Sequence, residues 1–371
     1  MKLVGVADGN PFAPTTWSGS SSHFFKELRD RGLLTVAVSG DPDPWLNRVC
    51  QVANFRLPLD SWKFGYHLDT RHYRAMTRKV RRELAQVREE YTHILQIYSH
   101  YDVPGLARGR KITCAYQDGN LARRLDNPFG HPPVSRHHID KAMAWEKKVF
   151  NGLDHIFTFS RWLRESFISD YGVRPERVHV VGAGANLPTV ETPPREYDGK
   201  TVLFSGIHFE RKGGEVLLES FRQVRRALPD ARLIILGPRL KTLPRGVECW
   251  GYIAKSEARG LARIRQAYAE ASLFVMPSLY EPFGIVFLEA MAHRLPCIGT
   301  LNCAMPEIIE EGRTGCLVPV KDPAALAERI IHLLKRPALL QEMGNAGYER
   351  YRSRFTWGQV AGRIINILEE S

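Results

Sequence analysis

The stretch that most constrains this chain is FVMPSLYEPFGIVFLE, residues 274–289. Leu273 to Met276 is predicted to be a buried strand, because it is a short apolar run that stops at turn residues. Pro277 to Gly284 is predicted to be a tight loop, and a helix is predicted to begin near Ile285. A buried strand that passes through a short loop into a helix is typical of a parallel α/β sheet.

Two carboxylates flank the predicted helix start. Glu281 lies in the loop and Glu289 lies a turn or more inside the helix, with Gly284 between them. The first N–H groups of a helix have no partner within it, and the helix dipole also favours an anion there. Carboxylates beside an anion site suggest a ligand that joins phosphate to sugar hydroxyls, as a nucleotide sugar does. The pattern is equally compatible with an ordinary strand-to-helix turn that carries two solvated glutamates.

The overall composition is that of a globular protein with an excess of positive charge. The 371 residues suffice for about two domains. Hydrophobic residues make up 44% and charged residues 25% of the chain, which is ordinary for a folded protein in water. The net charge of +12 favours an anionic partner, such as a nucleotide, a phosphorylated acceptor, a membrane surface or nucleic acid, without selecting among them.

Cysteine usage and hydropathy indicate the compartment. The six cysteines form no CxxC pair and no cluster at metal-ligand spacing, so we expect reduced thiols. The opening MKLVGVADGN is predicted to be a strand and not a signal peptide. No apolar run approaches the ~18–20 residues of a membrane span. We therefore expect a cytoplasmic protein, with peripheral contact at the inner face of the membrane as a further hypothesis.

A strand–helix–strand pattern opens each half of the chain. Residues 2–7 and 33–38 are predicted strands on either side of a helix, and Gly19 lies in the loop after the first strand, where doubly wound sheets bind ligands. Residues 187–200 are rich in proline and polar side chains, which is typical of a linker. The pattern then starts again, so we predict Rossmann-like domains at 1–186 and 201–356.

Residues 70–90 are predicted to form one long basic helix. An apolar stripe at helical spacing would face the core; its members are Tyr73, Met76, Val80, Leu84 and Val87. Six cations crowd the other faces; they are Arg71, Arg74, Arg78, Lys79, Arg81 and Arg82. The helix is either a solvated surface or a patch for the acceptor or a membrane surface. Nucleic acid is not expected, because no aromatic-interleaved basic motif accompanies the charge.

Two groups of residues invite a metal interpretation. Asp41-Pro42-Asp43 has the D-x-D spacing that metal-dependent glycosyltransferases use, but it lies early in a proline-rich loop that favours a turn. His131, His137 and His138 share one loop, yet no carboxylate at ligand spacing completes a site. We therefore predict no metal and no other cofactor.

Two cations in the second half complement the glutamate loop. Arg211 and Lys212 follow the strand predicted at 201–206, so they are expected at the same sheet edge as Glu281. Two cations and a helix N-terminus that face one crevice can hold a diphosphate without metal, and they would stabilise it as a leaving group. An exposed turn is the alternative for these two residues taken alone.

These motifs resemble the retaining, GT-B-fold group 1 glycosyltransferases, known as glycosyltransferase family four. In the second half the resemblance is carried by residues 204–206, 211–214, 277–284, 289–292, 306–309 and 312–318. In the first half it is carried by Ser18-Gly19 with His23, by 160–162 and by 170–173. The resemblance implies two Rossmann-like domains that face a central cleft, with the last helix, residues 357–371, crossing back to the first domain.

The resemblance also implies roles for individual residues. Glu281 would bind the donor sugar and Glu289 the ribose, while Arg211 and Lys212 would hold the diphosphate. The remaining donor contacts would come from Gly19, Phe283, Gly284, Ile285, Val286, Tyr252, Ile253 and Lys255, with Lys255 against the base. Many members carry an arginine directly after the glycine that ends the first strand of the second domain, but here Ile207 and His208 follow Gly206.

The reaction implied is transfer of a hexose-type sugar from a nucleoside-diphosphate sugar to an acceptor hydroxyl, with retention and without metal. Many members place a histidine at a first-domain strand end near the sugar. Asp118 is expected to take that place here, with His131 as the alternative.

Two other classes of protein remain as alternatives: a GT-B nucleotide-sugar epimerase and a basic nucleotide- or nucleic-acid-binding protein. The sequence does not reveal the base, the sugar or the acceptor.

Overall fold

The computed structural model describes residues 1–55, 57–107, 109, 111–129, 134–187, 193, 195–255 and 257–371. The chain divides into two compact units. The first unit contains Met1–Gly182 and Val360–Ser371, and the second contains Ala183–Gln359. The linker predicted at 187–200 includes residues outside the described ranges, so its bounds stay a prediction.

The first unit contains a parallel six-stranded sheet of order β2-β1-β3-β4-β5-β6. Its strands are β1 (Leu3–Ala7), β2 (Leu34–Ser39), β3 (His93–Ile97), β4 (Ile112–Gln117), β5 (His155–Thr158) and β6 (Val178–Val180). Its helices are α1 (Ser20–Asp30), α2 (Pro44–Ala53), α3 (Leu59–His67), α4 (Thr70–Gln86), α5 (Leu121–Leu125), α6 (Arg136–Gly152) and α7 (Arg161–Ser169).

The second unit contains another parallel six-stranded sheet, of order β12-β11-β10-β7-β8-β9. Its strands are β7 (Thr201–Ser205), β8 (Arg232–Leu236), β9 (Val247–Gly251), β10 (Leu273–Val275), β11 (Cys297–Thr300) and β12 (Gly315–Val318). Its helices are α8 (Gly214–Ala227), α9 (Ala258–Glu270), α10 (Ile285–Ala292), α11 (Met305–Ile308), α12 (Pro323–Leu334) and α13 (Pro337–Arg354). The last helix of the chain, α14 (Trp357–Glu369), begins in the second unit, and its residues from Val360 onward belong to the first.

The central strands are almost completely buried, which explains their continuous apolar sequences. Every residue of β1, β3 and β10 is buried. Strands covered on both faces lose the alternation of apolar and polar residues, because neither face meets water. The predicted doubly wound α/β class is therefore confirmed.

The basic helix is shorter than predicted. It ends at Gln86, and Val87 is already extended, so residues 87–90 are not helical. Tyr73, Met76 and Val80 are buried as the stripe required. Among the residues that the structure describes, no helix is long and apolar enough to cross a membrane.

In the sequence, Asp322 followed by Pro323 predicts the N-cap and first turn of a helix, and the start of α12 tests these local signals. Asp322 occupies the N-cap and its Oδ1 accepts a hydrogen bond from the Ala325 amide at 2.9 Å, with Pro323 in the first turn. We predict that Asp322→Ala lowers the free energy of unfolding by about 1 kcal/mol, because that amide loses its partner. Asp322→Asn is the matched control, since asparagine caps equally well. Urea unfolding curves measure both, and equal losses would contradict the capping role.

Candidate functional site

The order of strands in the second unit fixes where a ligand can bind. From β7 the chain proceeds to β8 and β9 on one side, whereas from β10 it proceeds to β11 and β12 on the other. The loops after β7 and β10 therefore leave neighbouring strands in opposite directions, and such a switch point opens a crevice at the carboxyl ends of the strands. Arg211 and Lys212 lie in the loop after β7, and Glu281 lies in the loop after β10.

Backbone contacts hold these two loops together. The Leu279 amide donates to the Arg211 carbonyl at 2.9 Å. The Arg211 guanidinium donates from Nη1 to the Tyr280 carbonyl at 2.6 Å. Gly213 has φ +72°, and a Cβ there would lie 1.9 Å from the Pro277 carbonyl oxygen. Glycine is thus required for both its backbone angle and its closeness to the second loop.

The predicted sugar-binding and phosphate-binding side chains form one ionic cluster, which we call the Glu281 cluster. Lys212 Nζ lies 2.9 Å and Arg211 Nη1 3.4 Å from Glu281 Oε2. None of the three side chains is more than 22% exposed. Burial raises the pKa of the Glu281 carboxyl, but the charges of Lys212 and Arg211 outweigh it, so that pKa lies below its ordinary value.

The two cations leave this cluster with a net positive charge. One carboxylate cannot neutralise both, so an anion that reaches the crevice meets an attractive field. Gly206 makes room for the lysine, because a Cβ there would lie 2.2 Å from Lys212 Cδ. His208, two residues after Gly206, does not add a charge, because burial, and then Arg211 and Lys212, lower the pKa of its imidazole.

Helix α10 begins at the predicted residue. Gly284 is its N-cap with φ +95°, Phe283 is buried before it, and Ile285 and Val286 form the first turn. The amides of that turn have no partner four residues earlier in the helix. The loop before the helix is tied to the next strand, because Thr300 Oγ1 donates to the Ser278 carbonyl at 2.7 Å. The helix start is therefore held beside the Glu281 cluster.

Glu289 has a separate set of partners. It is only 1% exposed, forms an ion pair with Lys255, and accepts from the Tyr268 hydroxyl at 3.4 Å. Lys255 was expected against the base of a nucleotide. Its ion pair with Glu289 was not predicted from the sequence. Tyr252, also predicted near the base, is exposed after β9, and Ile253 is half-buried beside it.

The first unit has an ionic pair at its own switch point, between β1 and β3. Asp8 follows β1 and His100 lies three residues beyond β3, with Asp8 Oδ2 2.6 Å from His100 Nδ1. Burial lowers the pKa of His100, but Asp8 outweighs it, so that pKa lies above its ordinary value. Within the described residues Asp8 Oδ1 is buried without a hydrogen-bond partner. Sequence reasoning missed this pair, although an acid directly after the first strand was a visible signal.

The other first-unit predictions lie in different loops. Gly19 has φ +92° and is the N-cap of α1. Asp118 follows β4 at the carboxyl edge of the sheet, and its charge contributes, after burial, to the raised pKa of Tyr98. His131, the alternative to Asp118, lies outside the described residues. Which of them meets a sugar stays a prediction.

The residues weighed as metal ligands have other partners. Asp43 accepts from Arg82 Nη2 at 2.6 Å, and Asp41 Oδ1 accepts from the Gly9 amide at 3.0 Å. Across the described ranges, no group of three or more histidine, cysteine or acidic side chains is arranged to hold a metal ion.

The contact between the two loops gives a test. We predict that Gly213→Ala lowers the free energy of unfolding and weakens nucleoside-diphosphate binding, because the new Cβ strains the backbone and pushes Pro277 away. Gly312→Ala is the matched control, since Gly312 has φ +74° and a Cβ there would have no atom within 4 Å. Both variants carry the left-handed penalty of about 1–2 kcal/mol. Gly213→Ala adds about 1–3 kcal/mol for the clash. Equal stabilities in urea would contradict the proposed contact.

The chain is similar to known proteins in both sequence and fold. Residues 199–336 match the family model for glycosyl transferases group 1. A phosphatidyl-myo-inositol mannosyltransferase of Mycobacterium leprae is 32% identical over 232 residues, which are 61% of this chain and 60% of that protein. An alpha-maltose-1-phosphate synthase of Mycolicibacterium smegmatis is 29% identical over 296 residues, with 67% and 75% covered. This chain therefore matches about six tenths of the mannosyltransferase's length.

Two solved structures share the fold. Sucrose-phosphate synthase from Thermosynechococcus elongatus has a TM-score of 0.70 at 16% identity, with 100% of this chain and 99% of that chain covered. Anabaena Alr3699/HepE, in complex with UDP and glucose, has a TM-score of 0.67 at 16% identity, with both chains covered to 100%. The predicted GT-B fold is confirmed by these matches. In sequence, residues 199–336 are similar to the group 1 glycosyltransferases.

Proposed function

We propose that this protein is a retaining, metal-independent glycosyltransferase that moves a hexose-type sugar from a nucleoside-diphosphate sugar to an acceptor hydroxyl. The observation that carries the proposal is the Glu281 cluster at the switch point of the second unit, beside the start of α10. The arrangement offers cations and helix amides to a diphosphate, and carboxylates to hydroxyl groups, within one crevice.

Donor binding would rearrange the cluster. The diphosphate oxygens would compete with Glu281 for Arg211 and Lys212, and the first-turn amides of α10 would donate to the same phosphates. As the cations turn to the diphosphate, the Glu281 carboxylate would be released to accept hydrogen bonds from the sugar. In the free protein, Lys212 and Arg211 hold the pKa of Glu281 below its ordinary value despite burial, so the carboxylate starts ionised and able only to accept.

Glu289 is proposed to bind the ribose. Its burial and its bond from Tyr268 fix the carboxylate, and its remaining lone pairs can accept from vicinal hydroxyls. Lys255 would then remain beside it at the mouth of the nucleoside site, with exposed Tyr252 available to the base. The UDP bound by Anabaena HepE makes uridine the first base to test.

The chemistry follows from the charges. The bond between the anomeric carbon and the diphosphate oxygen breaks, and Arg211 and Lys212 stabilise the negative charge that develops on that oxygen. The acceptor oxygen then bonds to the same face of the sugar, and its proton passes to the departing diphosphate. Configuration is thereby retained, and the two cations supply the charge stabilisation that a metal supplies elsewhere.

We predict that Glu281→Ala lowers transfer by about 10²–10³-fold, which is the size of effect expected when one preorganised polar contact to the reacting centre is lost. Glu215→Ala is the matched control, because Glu215 is an exposed glutamate of the same unit. The assay measures nucleoside-diphosphate release from UDP-, GDP- and ADP-hexoses with a panel of hydroxyl acceptors, and NMR of the product determines its anomeric configuration.

The outcomes separate the alternatives. Transfer with retention that is unchanged by EDTA supports the proposal. Inversion contradicts retention, and loss of activity in EDTA contradicts metal independence. Conversion of the donor without any acceptor would indicate an epimerase. Equally slow release by wild type and Glu281→Ala, with salt-dependent binding to RNA or DNA instead, would overturn the transferase proposal. The cytoplasmic location stays a prediction.

A further inference from the structure

Helix α2 turns an apolar face to solvent. Trp45, Val49 and Val52 are spaced i, i+4 and i+7, so they lie on one side of the helix. The opposite side is the buried one, where Cys50 packs inward and Asn54 closes the helix end. An amphipathic helix ordinarily buries its apolar face, whereas here most of that face is exposed.

The face continues beyond the helix. The large apolar side chains Phe55, Leu57 and Leu59 follow directly, and together with Trp45, Val49 and Val52 they are between 51% and 76% exposed. We call these six residues the apolar face. Single exposed apolar side chains are common on proteins, but six large ones within residues 45–59 indicate a binding surface. Residues 44–59 contain no aspartate or glutamate.

Helix α4 runs beside α2 in the opposite direction. Arg82, near the end of α4, donates to Asp43 before the start of α2 at 2.6 Å. Asn54, at the end of α2, donates to Asp69 before the start of α4 at 2.6 Å. These bonds at both ends make the two helices one surface element.

Helix α4 supplies positive charge to this surface. Arg74, Arg78 and Arg81 are exposed at i, i+4 and i+7, and we call them the cation row. No acidic side chain among the described residues forms an ion pair with any of the three. Other α4 cations are neutralised: Arg71 pairs with Asp69, Lys79 with Glu83, and Arg82 with Asp43.

We propose that this two-helix surface docks on an anionic lipid bilayer. The apolar face would enter the interface between headgroups and acyl chains, and the cation row would face the lipid phosphates. Tryptophan and phenylalanine suit that depth, because their rings are large and apolar. A second copy of the chain is the less suitable partner, because symmetric pairing would bring two cation rows together.

The surface refines the membrane contact predicted from sequence for residues 70–90. The apolar stripe of α4 is buried in the first unit, and none of the large exposed apolar side chains lies on α4. The inserting residues must therefore come from α2 and the segment after it, while α4 contributes charge. This inference does not depend on the transferase proposal, since it concerns binding to lipid alone.

Flotation of the full-length protein with vesicles tests the inference. The vesicles are phosphatidylcholine alone or phosphatidylcholine mixed with phosphatidylglycerol, at low and high salt. We expect wild type to float with the anionic vesicles. Trp45→Ser/Val49→Ser/Val52→Ser should weaken binding more than about tenfold through lost apolar burial. Arg74→Gln/Arg78→Gln/Arg81→Gln should weaken it about a hundredfold, at roughly fivefold per cation, with a smaller salt dependence.

Matched controls distinguish the contribution of this surface to vesicle binding from the effects of net charge and of exposed apolar side chains elsewhere. Lys335→Gln/Arg336→Gln/Arg352→Gln removes three exposed cations of the second unit, and Leu243→Ser/Val320→Ser removes two exposed apolar side chains there. Both should float like wild type. Melting temperatures within the wild-type range show that all variants fold.

Three results would overturn the proposal. The first is no flotation of wild type with anionic vesicles. The second is equal loss in the cation-row variant and its control, which would indicate a general charge effect. The third is that wild type forms dimers in sedimentation but binds no vesicles, and that Trp45→Ser/Val49→Ser/Val52→Ser abolishes these dimers. This result would make the apolar face a protein interface.

Discussion

The ion pairs between Glu281 and its two cations are the interaction on which this site depends. They connect the loop after β7 to the loop after β10, at the one place in the second sheet where neighbouring strands send the chain in opposite directions. Because the three side chains are largely buried, their charges act in a medium of lower polarity than water. Removing Glu281 would leave two largely buried cations without a counter-charge, so the cluster is costly to disturb. Because the cations outnumber the carboxylate, they can exchange partners when an anion arrives.

Much of this arrangement could be predicted from the sequence. The apolar strand before Pro277, the glycine at 284 and the helix after it specify a strand–turn–helix unit through local signals. Placing Arg211 near Glu281 required only that parallel strands end at one edge of a sheet. The capping of α12 by Asp322 was likewise local. Such features depend on spacing and backbone preference, which the sequence states directly.

The remaining features depend on tertiary contacts that spacing does not encode. The partner of Lys255 is Glu289, far away in the chain, and only the folded unit brings them together. The Asp8–His100 pair requires β1 and β3 to be neighbours. Helix α2 has a clear apolar side, but periodicity alone does not say whether another element covers it. For α4, the sequence identified both the charge and the stripe, yet the structure was needed to show that the stripe is buried and that the exposed apolar residues belong to α2.

The central claim is that Arg211 and Lys212 are held by Glu281 in the free protein and are passed to a diphosphate. Calorimetry with the nucleoside diphosphate alone, without sugar, tests it most directly on wild type and Glu281→Gln. The account predicts that the variant binds the diphosphate more tightly, by about 1 kcal/mol or roughly fivefold, because the competing carboxylate charge is gone. Equal or weaker binding by the variant would contradict the account, since Glu281 would then not compete with the diphosphate for these cations.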